Sequence, residues 1–289
     1  MYEKLEVCPV CKNSDFINHL ICTDHSITGE SFALNKCKKC KLIFTNPRPS
    51  EASLPKYYQS DDYISHSNKS SNLINLAYKL VRRFTIRKKI KLLKKYTSGR
   101  SILDYGCGTG DFLLACKLRG FHVEGFEPNH FAREQSVNKG IEVITDLKAT
   151  KQKVDIITAW HVIEHVSELK KTIKLLKKKL NDDGLLIIAV PNINSYDSIH
   201  YKEHWAALDV PRHLYHFSQE SFGTLLAKTK LKLVDTVPMY FDSYYVSMLS
   251  EKYLHGKTNF LKAIKIARKS NQLAKKSGEY SSLIYIIRK

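Results

Sequence analysis

The chain has 289 residues, enough to bury a sizeable core and of a length that suggests about two domains. Hydrophobic residues make up 43% and charged residues 26%, with 12 glycines and 8 prolines, which excludes collagen-like and low-complexity classes and describes an ordinary soluble globular protein. Lysine and arginine outnumber aspartate and glutamate by 47 to 28, a formal charge of +19 that favours polyanions such as nucleic acid, phosphorylated metabolites or an acidic membrane surface; the excess is almost all lysine amid much isoleucine and asparagine, which an AT-rich genome produces by itself.

Residues 1–10 carry two acidic side chains and no apolar stretch, and nowhere do roughly 18 apolar residues run together, so neither a signal peptide nor a membrane span is expected. The expected location is the cytosol. In that reducing compartment the odd count of seven cysteines reads as metal binding, not disulfide pairing. Cys8-x-x-Cys11 and Cys37-x-x-Cys40 repeat one spacing, and each pair offers two thiolates at the bite a tetrahedral Zn2+ accepts. Residues 1–47 are therefore expected to form a zinc-binding module. The 25 residues between the pairs imply an extended hairpin, within which Cys22, His19 and His25 are alternative ligands.

Residues 48–98 read as a connector. Pro47, Pro49 and Pro55 lead into an aromatic patch with Tyr57, Tyr58 and Tyr63. A helical pattern follows with Leu73, Leu76, Leu80, Ile90 and Leu93 at spacings of three and four, and nine Lys/Arg between 79 and 95 without an acidic residue. Such a face is usually solvated, though it can guide a polyanion.

From Ser101 onward short β-rich runs alternate with helical ones. The strands are expected over 102–105, 122–126, 141–145, 154–160 and 185–190, with helices over 112–119, 131–139 and 167–180 between them. Alternation of this kind predicts an α/β architecture, a doubly wound parallel sheet with helices on both faces. Ser218 caps a helix to Lys228, strands follow over 231–237 and 280–288, and a helical insertion occupies 238–278, within a domain of 99–289.

The segment Asp104-Tyr105-Gly106-Cys107-Gly108-Thr109-Gly110-Asp111 closes one strand and opens a helix, and its glycines let the chain turn sharply with a ligand against it. A dinucleotide fingerprint needs glycine at position 111, where this chain has Asp. Carboxylates at 111 and 104 repel phosphate and suit a ligand bearing an ammonium and a sulfonium, which argues for S-adenosylmethionine over NAD. Glu127 closes the second strand, where an acidic residue takes both ribose hydroxyls, and Asp146, past the third, is placed to meet the adenine amino group. Together with Val154-Asp155-Ile156-Ile157, this pattern resembles the class I S-adenosylmethionine-dependent methyltransferases over roughly residues 72–289. The resemblance implies a Rossmann-like methyltransferase fold, with Asp104, Gly106, Gly108, Gly110, Glu127, Asp146 and Trp160 as cofactor contacts.

After the fourth strand, Trp160-His161-Val162-Ile163-Glu164-His165 resembles the E-H motif of quinone O-methyltransferases and sugar C-methyltransferases. Two chemistries follow from it: His165, oriented by Glu164, as a general base, or Glu164 and His165 as ligands of a divalent metal. The quinone enzymes have a further Glu where this chain has His161. Six of the twelve histidines fall between 161 and 216. Within that span Asp209-Val210-Pro211-Arg212-His213-Leu214 recurs in the same subgroup. Arg212 and His213 are thus further catalytic or substrate-binding candidates, Arg212 either clamping an anionic substrate bidentately or pairing with Asp209 to fix its loop. Tyr57, Tyr58 and Tyr63 lie in the connector, where the sugar enzymes place a substrate-facing tyrosine.

These resemblances imply methyl transfer to a small, anionic acceptor such as a nucleotide-linked sugar, with the 238–278 helices as cover. One alternative is an RNA methyltransferase that uses the zinc ribbon and the basic surface, although no N-P-P-[FYW] motif follows the fourth strand. The other is a zinc-ribbon binding protein without catalysis, against which the intact glycine loop and Glu127 speak.

Overall fold

A computed structural model describes residues 1–58, 73–150 and 152–289, with side chains from position 81 onward in the first helix. In chain order the strands β1 (Tyr2–Glu3), β2 (Phe16–Thr23), β3 (Ser31–Cys37), β4 (Ile43–Thr45) and β5 (Arg48–Pro49) precede helix α1 (Leu73–Tyr96). There follow β6 (Ser101–Tyr105), α2 (Asp111–Lys117), β7 (His122–Phe126), α3 (His130–Asn138), β8 (Glu142–Ile144) and β9 (Val154–Trp160). The chain continues with α4 (Leu169–Lys179), β10 (Leu180–Pro191), α5 (Tyr196–Tyr201), β11 (Tyr215–His216) and α6 (Gln219–Thr229). It ends with β12 (Lys232–Pro238), α7 (Asp242–His255), α8 (Phe260–Ser277) and β13 (Ser282–Arg288). The expected alternation is thus present, with β10 starting five residues earlier than the apolar run suggested. Among the described residues no helix is long and apolar enough to cross a membrane.

The main sheet has the order β12-β13-β10-β9-β6-β7-β8. Strands β6, β7, β8 and β9 pair in parallel, with Tyr105 opposite Phe126, Phe126 opposite Ile144, and Asp104 opposite Thr158. This register brings the residues that follow each strand to one carboxyl edge, where open parallel sheets bind their ligands. The apolar strand residues Ile102, Leu103, Ile156 and Ile157 are wholly buried, as expected for strands covered on both faces.

Contacts divide the chain into two units. One comprises Asp61–Trp160, Leu175–Ile187 and Ile287–Lys289, and contains the glycine loop. The other comprises Met1–Ser60, His161–Lys174 and Ile188–Ile286. Within this second unit the hairpin β2–β3 matches the extended hairpin expected between the cysteine pairs. It belongs to a four-stranded sheet, β11-β4-β3-β2, in which Phe44 pairs with Tyr215. Phe32 and Leu34 of this sheet join Tyr57, Tyr201, Trp205 and Leu208 in one buried cluster. Helices α7 and α8 occupy the expected insertion.

Candidate functional sites

In the first unit, the turn after β6 is tight. The amides of Gly106 and Cys107 both donate to the Phe126 carbonyl at 2.8 and 3.0 Å. Gly108 and Gly110 have φ of +54° and +76°, the left-handed region that L side chains avoid. A Cβ on Gly110 would stand 2.3 Å from the Ser136 hydroxyl, so this glycine lets the start of α2 close on α3, whereas one on Gly108 would meet nothing within 4 Å. The space beside Gly108 is where a ligand can press against backbone.

Glu127 is buried and spans this loop: Oε2 accepts the Gly108 amide and Oε1 the Asn129 amide, both at 2.9 Å. Each oxygen retains a second lone pair, which fits a vicinal diol. Asp104 is buried against the Thr158 hydroxyl, and burial pushes its carboxyl up to about 6. Trp160 packs edge-on against Phe112, with the Lys89 ammonium 4.0 Å over its ring. Its indole Nε1 is buried without a hydrogen-bond partner. The open space at Gly108, the carboxylates and this indole donor fit an S-adenosylmethionine nucleoside and sulfonium. Lys89 had no motif to mark it in the sequence. Asp146 is exposed, and its side chain caps the turn after β8 by accepting the Lys148 amide at 2.9 Å. Asp111, expected to attract a cationic ligand, is instead neutralised within the protein by Lys139 at 2.6 Å and by Arg82.

In the second unit, the chain leaving β9 puts His161 at φ +55°, a conformation uncommon for histidine, and its amide donates to the Ala189 carbonyl. The imidazole stands between two carboxylates, Nε2 at 3.1 Å from Asp242 and Nδ1 at 3.5 Å from Glu164. Burial disfavours its charged form, but these carboxylates outweigh burial and raise it to about 9. Asp242, in the first turn of α7, carried no sequence signal beyond an acidic residue at a helix start.

Glu164 is 0% exposed, and neither carboxylate oxygen has a hydrogen-bond partner. His165 and His213 flank it, and one donor atom from each of the three lies within 4.8 Å of the others. His165 directs Nδ1 at the Arg212 carbonyl (3.0 Å) and His213 directs Nδ1 at the Ala207 carbonyl (2.9 Å). A neutral imidazole that donates from Nδ1 keeps the Nε2 lone pair, so both rings present acceptors beside a carboxylate that has no hydrogen-bond partner. The expected E-H pair therefore gains a third donor from His213.

Of the two expected readings of Arg212, the structure shows the pairing with Asp209. Arg212 is 4% exposed and bonds Asp24 and Asp209 at 2.9 and 2.6 Å, and the Tyr57 carbonyl at 3.0 Å. With two more bonds, to Asp209 and Asp24, its five N–H groups are taken. The guanidinium thus fixes its own loop and leaves no fork for a substrate. Tyr57 is likewise closed off: its ring is fully buried on Phe32 and its hydroxyl donates to Glu30 at 2.7 Å. The neighbouring Tyr58 has its hydroxyl 3.2 Å from His165 Nδ1. Tyr63 lies outside the described residues.

Cys8, Cys11, Cys37 and Cys40 gather their sulfurs within 4.8 Å, with 3.5 Å between Cys8 and Cys40 and between Cys11 and Cys37. Tetrahedral zinc with Zn–S of about 2.3 Å separates its sulfurs by about 3.8 Å, so the donor set fits. Cys22 is instead buried among Phe32, Leu34 and Ile43.

A methyltransferase-domain family matches residues 78–236, just over half of the chain. The chain belongs to this family. Its fold is that of the class I S-adenosylmethionine-dependent methyltransferases. A ubiquinone biosynthesis O-methyltransferase of Haemophilus ducreyi is 28% identical over 109 residues, covering 32% of this chain and 46% of the relative. A probable S-adenosylmethionine-dependent methyltransferase of Mycobacterium tuberculosis is 27% identical over 101 residues, covering 33% and 37%. This methyltransferase chain thus spans less than half the length of the curated relatives it matches. In fold, it resembles the magnesium protoporphyrin IX methyltransferase of Synechocystis PCC 6803 with bound S-adenosylhomocysteine. The TM-score is 0.55 and the identity 14%, over 83% of this chain and all of the other.

Proposed function

We propose that the protein transfers a methyl group from S-adenosylmethionine to a hydroxyl on a small, anionic acceptor such as a nucleotide-linked sugar. When bound, the cofactor supplies an already activated sulfonium methyl, so the protein's task is to hold the acceptor in line and take its proton. The observation that carries the acceptor chemistry is the buried Glu164 carboxylate, ion-paired with His161 but without a hydrogen-bond partner, with the Nε2 lone pairs of His165 and His213 beside it. In this reading His165 accepts the hydroxyl proton, Glu164 stabilises the imidazolium that results, and Tyr58 and His213 fix the ring. O-methylation agrees with the named activity of the Haemophilus relative, and quinone-like phenols are the next acceptor class to try. The RNA reading draws no support from these relatives.

The test is calorimetric titration with S-adenosylhomocysteine, then transfer of labelled methyl to a panel of nucleotide-linked sugars and phenols. Cofactor binding with transfer to one acceptor class supports the proposal. Absence of cofactor binding returns the protein to the non-catalytic alternative, and transfer to RNA alone overturns the acceptor assignment.

The same three donors favour a second reading, in which Glu164, His165 and His213 hold a divalent cation that lowers the acceptor hydroxyl's pKa. Backbone acceptors on both Nδ1 atoms are the usual outer support of metal-bound histidines. Separately, Cys8, Cys11, Cys37 and Cys40 are proposed to bind one structural Zn2+ over residues 1–47, joined by the 48–98 connector to the methyltransferase domain.

A further inference from the structure

Residues 252–278, which include the end of α7, the connecting turn and α8, contain eight Lys/Arg and no Asp or Glu. Helix α8 packs inward on small side chains, with Ala263, Ile266, Ala267, Ser270 and Ala274 buried. Its opposite stripe, at steps of three, four and seven residues, is Leu261, Ile264, Lys265, Arg268 and Lys275, all exposed. Leu261 is 84% and Phe260 57% exposed, and Leu254 adds a third exposed apolar side chain at the end of α7. The Lys262 ammonium lies 3.4 Å from buried Glu251 and Lys269 stands over the Tyr196 ring, so those two charges are partly engaged.

We propose that this helical tip docks the protein on an anionic membrane surface. Three apolar side chains beside a stripe of lysine and arginine match the boundary where lipid headgroups meet acyl chains: the cations meet phosphate and the apolar groups enter the hydrocarbon edge. A polyanion such as nucleic acid would satisfy the lysines but would leave Leu261 and Phe260 in water. Docking there would bring the enzyme to acceptors carried on lipid, and it stands independently of the acceptor assigned above.

The experiment is flotation of the full chain with vesicles of phosphatidylcholine alone and of phosphatidylcholine mixed with phosphatidylglycerol. The expected result is co-flotation with the mixed vesicles only. Leu261→Asp and the double variant Lys265→Glu/Arg268→Glu should each weaken it by about tenfold or more while cofactor affinity, read by calorimetry, is unchanged. Absence of binding to the mixed vesicles overturns the proposal, as does a Leu261→Asp variant that floats like the wild type. Binding to duplex DNA that Leu261→Asp leaves intact, without vesicle binding, would reassign the surface to nucleic acid.

Discussion

His165 and His213 stand with ring centroids 4.6 Å apart and planes at 80°, and each directs Nδ1 at a backbone carbonyl, leaving Nε2 for chemistry beside Glu164. The pairing separates the two acceptor-side readings. His165→Ala is expected to lower turnover by about 10²–10⁴-fold while S-adenosylhomocysteine still binds. If His165 works alone as a base, chelator leaves the wild type active. If the three donors hold a cation, chelator abolishes turnover, Mg2+ or Mn2+ restores it, and His213→Ala raises the concentration of metal required. Full activity of His165→Ala in the presence of chelator would remove both.

Glu127 ties the loop amides of Gly108 and Asn129 to the place where the ribose is expected. Glu127→Ala removes the diol acceptor and strips two amides of their partner, so cofactor affinity should fall by about tenfold to a hundredfold. Calorimetry checks this, and unchanged affinity would move the ribose elsewhere.

Burial holds the Asp104 carboxyl up to about 6, with Lys89 pulling it down and Glu127 pushing it up. Its contribution to stability is present below the ordinary carboxylate range and is lost as pH rises through about 6, because the folded chain holds the proton longer than the unfolded one. A cationic ligand prefers the ionised form. S-adenosylmethionine affinity should therefore rise as pH passes upward through about 6, and Asp104→Asn should bind more weakly without that dependence. A wild-type affinity that is flat with pH would show that Asp104 does not face the bound cation.

The glycine loop and parallel strands were legible in the sequence because they are local: one strand, one turn and one helix start within a dozen residues. The pairing of Arg212 with Asp209 was one of the two readings open from the sequence, but its second partner and the fate of Tyr57 were not legible. The carboxylate that closes Arg212 belongs to Asp24, 188 positions away, and no spacing reports such a partner. Between Tyr57 and Tyr58 the choice rests on which side of one turn faces Phe32 and which faces His165. His213 reaches Glu164 because the Leu214 amide bonds the Glu164 carbonyl at 2.7 Å, a tertiary contact between two motifs that the sequence presents separately.

The Asp24–Arg212–Asp209 cluster makes a stability prediction that the chemistry does not confuse. Asp24 and Arg212 are 0% and 4% exposed, and Asp24 also accepts the amides of Ser26, Ile27 and Thr28. Removing one partner of a buried pair leaves the other charge without compensation, at a cost of about 3–5 kcal/mol. Arg212 retains Asp209, so Asp24→Ala is expected near the lower end of that range, and Arg212→Ala, which strands two carboxylates and the Tyr57 carbonyl, near the upper. Urea unfolding measures both. Arg212→Ala with unaltered stability but lost acceptor affinity would instead make the guanidinium a substrate contact.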